Sequence, residues 1–238
     1  MKTIGSRHNP LFKRIREAIR DHAGELVLEG PKQIRDALAA GWTPIATITR
    51  GTSPDFPDAV SFEAKAFDAL ADTRTSQGVL ALFARPQFDA SALFARRDSI
   101  IVALDAVQDP GNVGTIVRLA AAFDAAGVAL LPGSADPFGP KALRASAGAA
   151  LNVALANVTA RELLDTALPI FAADGRGVAI EPPASAAILI FGNEGNGVSD
   201  ELRERATLIA VATSGRVESL NVAASAAILL SRSFATRH

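Results

Sequence analysis

Apolar residues along this chain keep two rhythms, a recurrence every three or four positions and short unbroken runs, and the two alternate. Within residues 6–22, Leu11, Ile15, Ala18, Ile19 and His22 share one face of a helical repeat, while Lys13, Arg16 and Arg20 fall on another. That predicts an amphipathic helix, with Asn9-Pro10 as its start signal. Residues 26–28, 45–49, 60–62 and 79–83 read as strands; residues 31–40, stopped by Gly41, and 64–71 read as helices. Elements of this size in alternation make a small α/β unit. Arg85-Pro86-Gln87-Phe88-Asp89 interrupts the pattern, because proline withdraws a sheet donor. The division expected is a first unit at residues 1–88, a linker at 89–98 and a second unit at 99–238.

The second unit opens on Ile100-Ile101-Val102-Ala103-Leu104, an unbroken apolar run that suits a parallel strand buried on both faces. A loop over 105–111 leads to a helix over 112–126, with Ile116, Leu119 and Phe123 at helical spacing. Residues 128–131, 153–156 and 170–173 continue as strands, and 140–148 and 160–167 as helices. Two further apolar runs, 187–191 and 208–212, each lead into a glycine-bearing turn and then a helical pattern. The unit reads as a mostly parallel sheet with helices on both faces.

Composition narrows the chemistry. Of the 238 residues, 49% are hydrophobic and 21% charged, which suffices for a packed core. With no cysteine and only His8, His22 and His238, neither a disulfide framework nor a thiolate or histidine-rich metal site is expected. The longest stretch free of Asp, Glu, Lys and Arg covers residues 145–160, short of the roughly 20 residues that span a bilayer. The basic N-terminus lacks an apolar signal core. A soluble cytoplasmic protein, with no membrane segment, is the expectation. The net charge of −1 hides an asymmetry: Met1 to Arg20 carries six basic residues and one acid, whereas residues 89–238 hold 12 basic and 15 acidic residues. A basic start beside a mildly acidic body suits contact with a polyanion.

Candidate chemistry lies in three loops that follow strands, at 105–114, 192–199 and 214–221, since open α/β sheets bind ligands at the carboxyl ends of their strands. A strand, a glycine-rich turn and a helix together present backbone amides to a small ligand. Two such turns close in sequence suggest one shared pocket. Gly192-Asn193-Glu194-Gly195-Asn196-Gly197 runs G-x-x-G-x-G, which is not the dinucleotide fingerprint G-x-G-x-x-G, and no G-K-[ST] phosphate loop occurs.

Asn112-Val113-Gly114-Thr115-Ile116-Val117-Arg118 resembles the first motif of the SpoU-type (TrmH-like) RNA methyltransferases of the SPOUT superfamily. Phe191-Gly192-Asn193-Glu194-Gly195-Asn196-Gly197-Val198-Ser199 resembles the second and Ser219-Leu220-Asn221-Val222-Ala223 the third, in the same order and at matching spacing. Lys141-Ala142-Leu143-Arg144-Ala145-Ser146-Ala147-Gly148 resembles the segment between the first two. Across residues 100–235 the resemblance implies an α/β domain with a mostly parallel sheet and a deep trefoil knot, an exception to the rule that chains do not knot. It implies that the second and third motifs hold S-adenosyl-L-methionine, with Gly192, Val211 and Leu220 as contacts. Family members are homodimers, and the reaction implied is methyl transfer to a ribose 2′-hydroxyl in RNA.

Residue roles follow from the same resemblance. The arginine matching Arg118 is central in the family, sometimes as the base. A guanidinium is effectively always protonated, so a cation that holds a phosphate or an emerging alkoxide is the alternative. Asn112 is expected to shape the active-site loop and cap the following helix. Glu194 pairs with Arg118, orients the site, or is an exposed turn acid. Ser219 and Asn221 fit hydrogen bonds to the methyl donor or an RNA phosphate, or a capping role. The first unit resembles the small α/β, ribosomal-protein-like RNA-binding domain that often precedes this catalytic domain. Arg7-His8-Asn9-Pro10, Leu28-Glu29-Gly30 and Thr75-Ser76-Gln77-Gly78-Val79 carry that likeness. It implies a structured RNA, ribosomal ahead of transfer RNA, with Lys2, Arg7, Arg14 and Arg16 on phosphates and Lys141 and Arg144 as further RNA contacts. Two readings compete: a non-catalytic RNA-binding or ribosome-assembly factor that keeps the fold, and a nicotinamide oxidoreductase, which the glycine spacing opposes.

Overall fold

The computed structural model describes residues 3–21, 24–71 and 76–237, and the chain divides into two units, Met1–Pro86 and Gln87–His238. In the first, β1 (Glu25–Glu29), β2 (Pro44–Arg50), β3 (Val60–Phe62) and β4 (Val79–Ala84) form a sheet in the order β1-β4-β2-β3. β4 runs antiparallel to both neighbours, and β2 and β3 are parallel. It is apolar on both faces because both are covered. Leu80 and Leu82 join a core with Phe12, Ile15 and Ala18 of helix α1 (Pro10–Asp21). Phe83 meets the edge of Trp42, ring centroids 6.0 Å apart, beyond helix α2 (Pro31–Ala39). Helix α1 begins at Pro10, where the Asn9-Pro10 start signal places it: the Asn9 side chain accepts from the Leu11 amide at 2.9 Å and turns the incoming chain. Helix α3 (Ala64–Phe67) buries Phe67 in the same core. Lys2, His22 and Thr75 lie outside the described residues.

The second unit holds β5 (Ile101–Asp105), β6 (Gly127–Leu130), β7 (Leu155–Asn157), β8 (Ile170–Val178), β9 (Ile188–Gly192) and β10 (Thr207–Ile209). Their order is β10-β8-β9-β5-β6-β7, and every pairing among the described residues is parallel. On one face Ile101, Ala103, Ile188 and Ile190 pack with Leu93 of helix α4 (Ala90–Phe94), Leu163 of α7 (Ala160–Leu164) and Leu202 of α8 (Asp200–Arg203). Alternation turns Val102, Leu104, Leu189 and Phe191 to the opposite face. There α5 (Pro110–Ala122) meets β6, and α9 (Val222–Arg237) meets β9. A fully buried leucine or isoleucine stabilises by roughly 1.5–3 kcal/mol, so this double-sided core fixes the central strands. Helices α5 and α6 (Pro140–Ser146) approach so closely that a Cβ on Gly114 would lie 2.2 Å from the Ala142 carbonyl oxygen.

Three expectations change. Residues 89–98 are not a free linker: Asp89 caps α4, and Leu93, Phe88 and Phe94 pack into the core of the second unit. β8 extends to Val178, well past residue 173, because β10 pairs beside it with a bulge between Leu208 and Ile209. β10 itself ends at Ile209 and not at residue 212. No helix among the described residues is long and apolar enough to cross a membrane.

The sheet sets the place of the site. Strand order reverses between β5 and β9, whose register puts Asp105 opposite Gly192, so the loops leaving both strands emerge side by side at their carboxyl ends.

Candidate active site

The loop after β5 ends in a helix cap. Asp109 Oδ1 accepts from the amides of Gly111 at 2.7 Å and Asn112 at 3.0 Å, and Pro110 occupies the first helical position. The cap is therefore Asp109, and Asn112, expected to play that part, lies inside the first turn with its side chain released for other contacts. Asp109 Oδ2 accepts from Lys141 Nζ at 2.6 Å. That hydrogen bond, with the two capping amides, holds the Asp109 carboxyl below its ordinary pKa.

The turn after β9 closes on itself. Asn193 and Gly197 exchange two backbone hydrogen bonds of 2.9 Å, and Asn193 Oδ1 accepts from the amides of Gly195 and Asn196. A Cβ on Gly192 would lie 2.2 Å from the Val198 nitrogen, so only glycine permits this return of the chain. Two contacts fasten the turn to the loop after β5. Asn193 Nδ2 donates to the Ala106 carbonyl at 2.9 Å, and the Ser199 amide donates to the buried Asp105 carboxylate at 2.7 Å.

Glu194 and Asn112 join the motifs. Glu194 accepts from Asn112 Nδ2 at 2.8 Å and from the amides of Gln108 and Asp109, each at 3.3 Å. Partial desolvation raises the Glu194 pKa, but these hydrogen bonds outweigh it and the net direction is downward. Asn112 Oδ1 in turn accepts from Asn221 Nδ2 at 3.2 Å. Asn221 Oδ1 caps α9 through the amides of Ala223 and Ala224. One side chain, Asn112, thus touches both other motifs, and Asn221 caps a helix and reaches the site at once.

Of the three readings of Glu194, the pairing with Arg118 is not formed, and the carboxylate is bonded to Asn112 and two amides instead. Arg118 is exposed and makes no hydrogen bond or ion pair among the described residues. It lies on α5 six positions beyond Asn112, about 9 Å along the helix axis. From Val211 to Leu220 the chain is open in the same sense. Among the described residues the Gly215 amide, on Thr213 Oγ1, is the only backbone group there with a protein partner. Val211 and Leu220 are half-buried and Ser219 is exposed. This segment runs past the β8 bulge, where a Cβ on Gly175 would come 3.3 Å from the Glu218 carbonyl oxygen.

Of the expected RNA contacts, Arg7 is exposed and Arg16 lies over the Phe12 ring, 5.7 Å from its centroid. Arg14 is engaged by Glu25, its Nε donating at 2.9 Å, and Lys141 is engaged by Asp109. Arg144 is exposed. Sequence reasoning missed Asp105, Asp109 and Asn193. Asp109-Pro110 carries a readable cap signature, whereas Asp105 and Asn193 act through partners about ninety positions away that no local signal announces.

Residues 99–231 match the SpoU rRNA Methylase family. The chain is 36% identical over 177 residues to the 23S rRNA (guanosine(2553)-2′-O)-methyltransferase of Bacillus subtilis, covering 69% of this chain and 68% of that protein. It is 46% identical over 125 residues to ribosomal RNA small subunit methyltransferase G 2 of Syntrophobacter fumaroxidans, covering 52% of this chain and 25% of that protein. The chain thus spans only a quarter of that relative. Among solved structures, the AdoMet-bound rRNA methyltransferase from Sinorhizobium meliloti superposes with a TM-score of 0.84 at 26% identity, covering 99% of this chain and 98% of that one.

Proposed function

Because the chain belongs to the SpoU rRNA Methylase family, we propose that it transfers a methyl group from S-adenosylmethionine to a ribose 2′-hydroxyl of a structured RNA, ribosomal RNA before transfer RNA. The observation that carries this reading is the position of Asn112, bonded to Glu194 of the second motif and Asn221 of the third, on the same helix as Arg118, which has no partner among the described residues. The Bacillus relative's 2′-O specificity supports the choice of atom. A trefoil knot formed by the second and third motifs belongs to the proposal, supported by the close passage of residues 210–221 along the β8 bulge. So does a homodimer, which rests on family membership. The first unit serves as the RNA-binding domain, supported by exposed Arg7, Lys13 and Arg16 on a basic N-terminal stretch.

Gly192, Val211, Ser219, Leu220 and Asn221 would hold S-adenosylmethionine. They fit it: the open backbone of residues 211–220 offers donors and acceptors, and two half-buried apolar side chains can flank a purine. When bound, it supplies an electrophilic sulfonium methyl. Arg118 presents guanidinium donors to an RNA phosphate or to the charge that develops on the 2′-oxygen. Since a guanidinium does not release its proton, the role is electrostatic. Glu194 is ionised at neutral pH, but its oxygens already accept from Asn112 and two amides, so it orients Asn112, and the hydroxyl proton passes to solvent water as the methyl–oxygen bond forms and the methyl–sulfur bond breaks.

Transfer of labelled methyl to RNA from cells lacking the protein tests this. Label should appear in alkali-resistant dinucleotides, since a 2′-O-methyl blocks backbone cleavage. Arg118→Ala should lower turnover by about 10²–10³-fold while leaving cofactor affinity unchanged. Label confined to bases would reject the 2′-oxygen, and no incorporation into any RNA would favour a non-catalytic binding factor.

A further inference from the structure

Lys141 stands in the segment between the first two motifs, where a cation invites reading as a phosphate contact. The geometry points to another role: we infer that Lys141 is a positioning residue, the counter-ion that holds Asp109 at the start of α5 and through it keeps Asn112 and Glu194 in place. The inference rests on the methyl-transfer reading and deepens it.

Asp109 divides its two oxygens. Oδ1 caps α5 through the Gly111 and Asn112 amides, and Oδ2 accepts from Lys141 Nζ at 2.6 Å. The Asp109 amide donates to Glu194 Oε1, the same oxygen that accepts from Asn112 Nδ2. Two carboxylates therefore flank one peptide N–H at the mouth of a helix. The helix dipole offsets part of that negative charge. Among the described residues, Lys141 is the one cation paired with either carboxylate.

The pair is solvent-accessible, its side chains 59% and 45% exposed, but it lies against the start of α5. A Cβ on Gly111 would lie 2.7 Å from Asp109 Oδ1 and 3.5 Å from Lys141 Cε, so the ion pair rests against the backbone of the first helical turn. Lys141 rises from a fixed base as well, because its neighbour Ala142 meets Gly114 of α5 at the closest approach of the two helices. A lysine that also bound RNA phosphate would divide its charge between the phosphate and Asp109, leaving the cap facing Glu194 less compensated.

The test compares Lys141→Gln, Lys141→Arg, Asp109→Asn and the double variant Lys141→Gln/Asp109→Asn in the full-length protein. In methyl transfer to ribosomal RNA at saturating cofactor, Lys141→Gln should lower kcat about three- to fivefold with the KM for RNA unchanged, and Lys141→Arg should restore most of the loss. The double variant should be no worse than Asp109→Asn alone, since Lys141 acts through that carboxylate. The slope of log RNA affinity against log salt should not change. Without cofactor or RNA, hydrogen exchange at the Gly111 and Asn112 amides should quicken in Lys141→Gln and not in Lys141→Arg. A raised KM with unchanged kcat, and a salt slope shallower by about one, would make Lys141 a phosphate contact and overturn the inference. Additive losses in the double variant would overturn it too. If the unaltered protein transferred no methyl, the functional reading would fall, while the exchange measurement would still decide for or against the Lys141 clamp.

Discussion

Replacing Asn112 by aspartate separates the charge of the central side chain from its shape. Asn112 Nδ2 donates to Glu194 at 2.8 Å, and its Oδ1 accepts from Asn221 at 3.2 Å. Asn112→Asp is nearly isosteric and keeps the second contact, but sets two carboxylate oxygens face to face at the first. A lost hydrogen bond to a charged group costs about 1.5–3 kcal/mol when buried. Two like charges about 4 Å apart repel by ~1 kcal/mol in water and ~4 kcal/mol at an effective dielectric of 20. Glu194 is exposed, so solvent screening places each effect at or below the lower end of its range, for a total of about 2 kcal/mol. That is roughly thirtyfold if the displaced turn lowers the methyl-transfer rate in proportion. Asn112→Ala removes the donor without adding charge and should cost about 1 kcal/mol, or roughly fivefold. Initial rates at saturating cofactor, measured across pH, distinguish the two. The facing carboxylates of Asn112→Asp titrate as a coupled pair whose first protonation is raised above the ordinary carboxylate range. A shared proton restores a hydrogen bond there, so Asn112→Asp should recover relative to Asn112→Ala as the pH falls. An aspartate variant as active as the alanine variant at neutral pH, or a deficit that ignores pH, would refute the bridging role.

Leu220→Arg should weaken S-adenosylmethionine binding more than about tenfold, because it brings a charge and a longer side chain to a half-buried apolar position. Calorimetry checks this, and normal affinity would remove Leu220 from the site. Gly114→Ala should lower the melting temperature: helix propensity favours alanine by about 1 kcal/mol, but a Cβ placed 2.2 Å from a backbone carbonyl oxygen forces α5 and α6 apart at about 1–3 kcal/mol or more. Acid should loosen the site in a defined direction. Asp109 and Glu194 both have lowered folded-state pKa values, so the stability they contribute is present above the ordinary carboxylate pKa and lost as pH falls through the depressed ones. Melting temperature against pH should fall less steeply over that window in Glu194→Gln, and an unchanged slope would count against the clamp.

What could be read from the sequence follows from what each element depends on. β5, β6 and β9 are unbroken apolar runs because helices cover both sheet faces, so their burial is written in the strand itself. β8 is different. Asp174-Gly175-Arg176-Gly177 falls beyond the expected strand, yet lies within β8 because β10 pairs beside it across the bulge and Gly177 meets the backbone of Leu208 and Ile209. The residues 89–98 read as a linker for a similar reason, since Leu93 finds its core only in strands formed later in the chain. Within the site, Gly192 and Asn221 are legible because each does local work. Gly192 admits the returning chain, and Asn221 caps α9. The charges are not. Arg14 and Lys141 look alike in sequence as basic residues on helices, and each is claimed by a carboxylate, Glu25 or Asp109, that only the fold brings near. Arg118 is the opposite case, a cation without a partner among the described residues, beside motifs whose carboxylates are already satisfied. A guanidinium exposed in this way at a folded site gains most from an anion that arrives with the substrate, and an RNA phosphate meets that requirement.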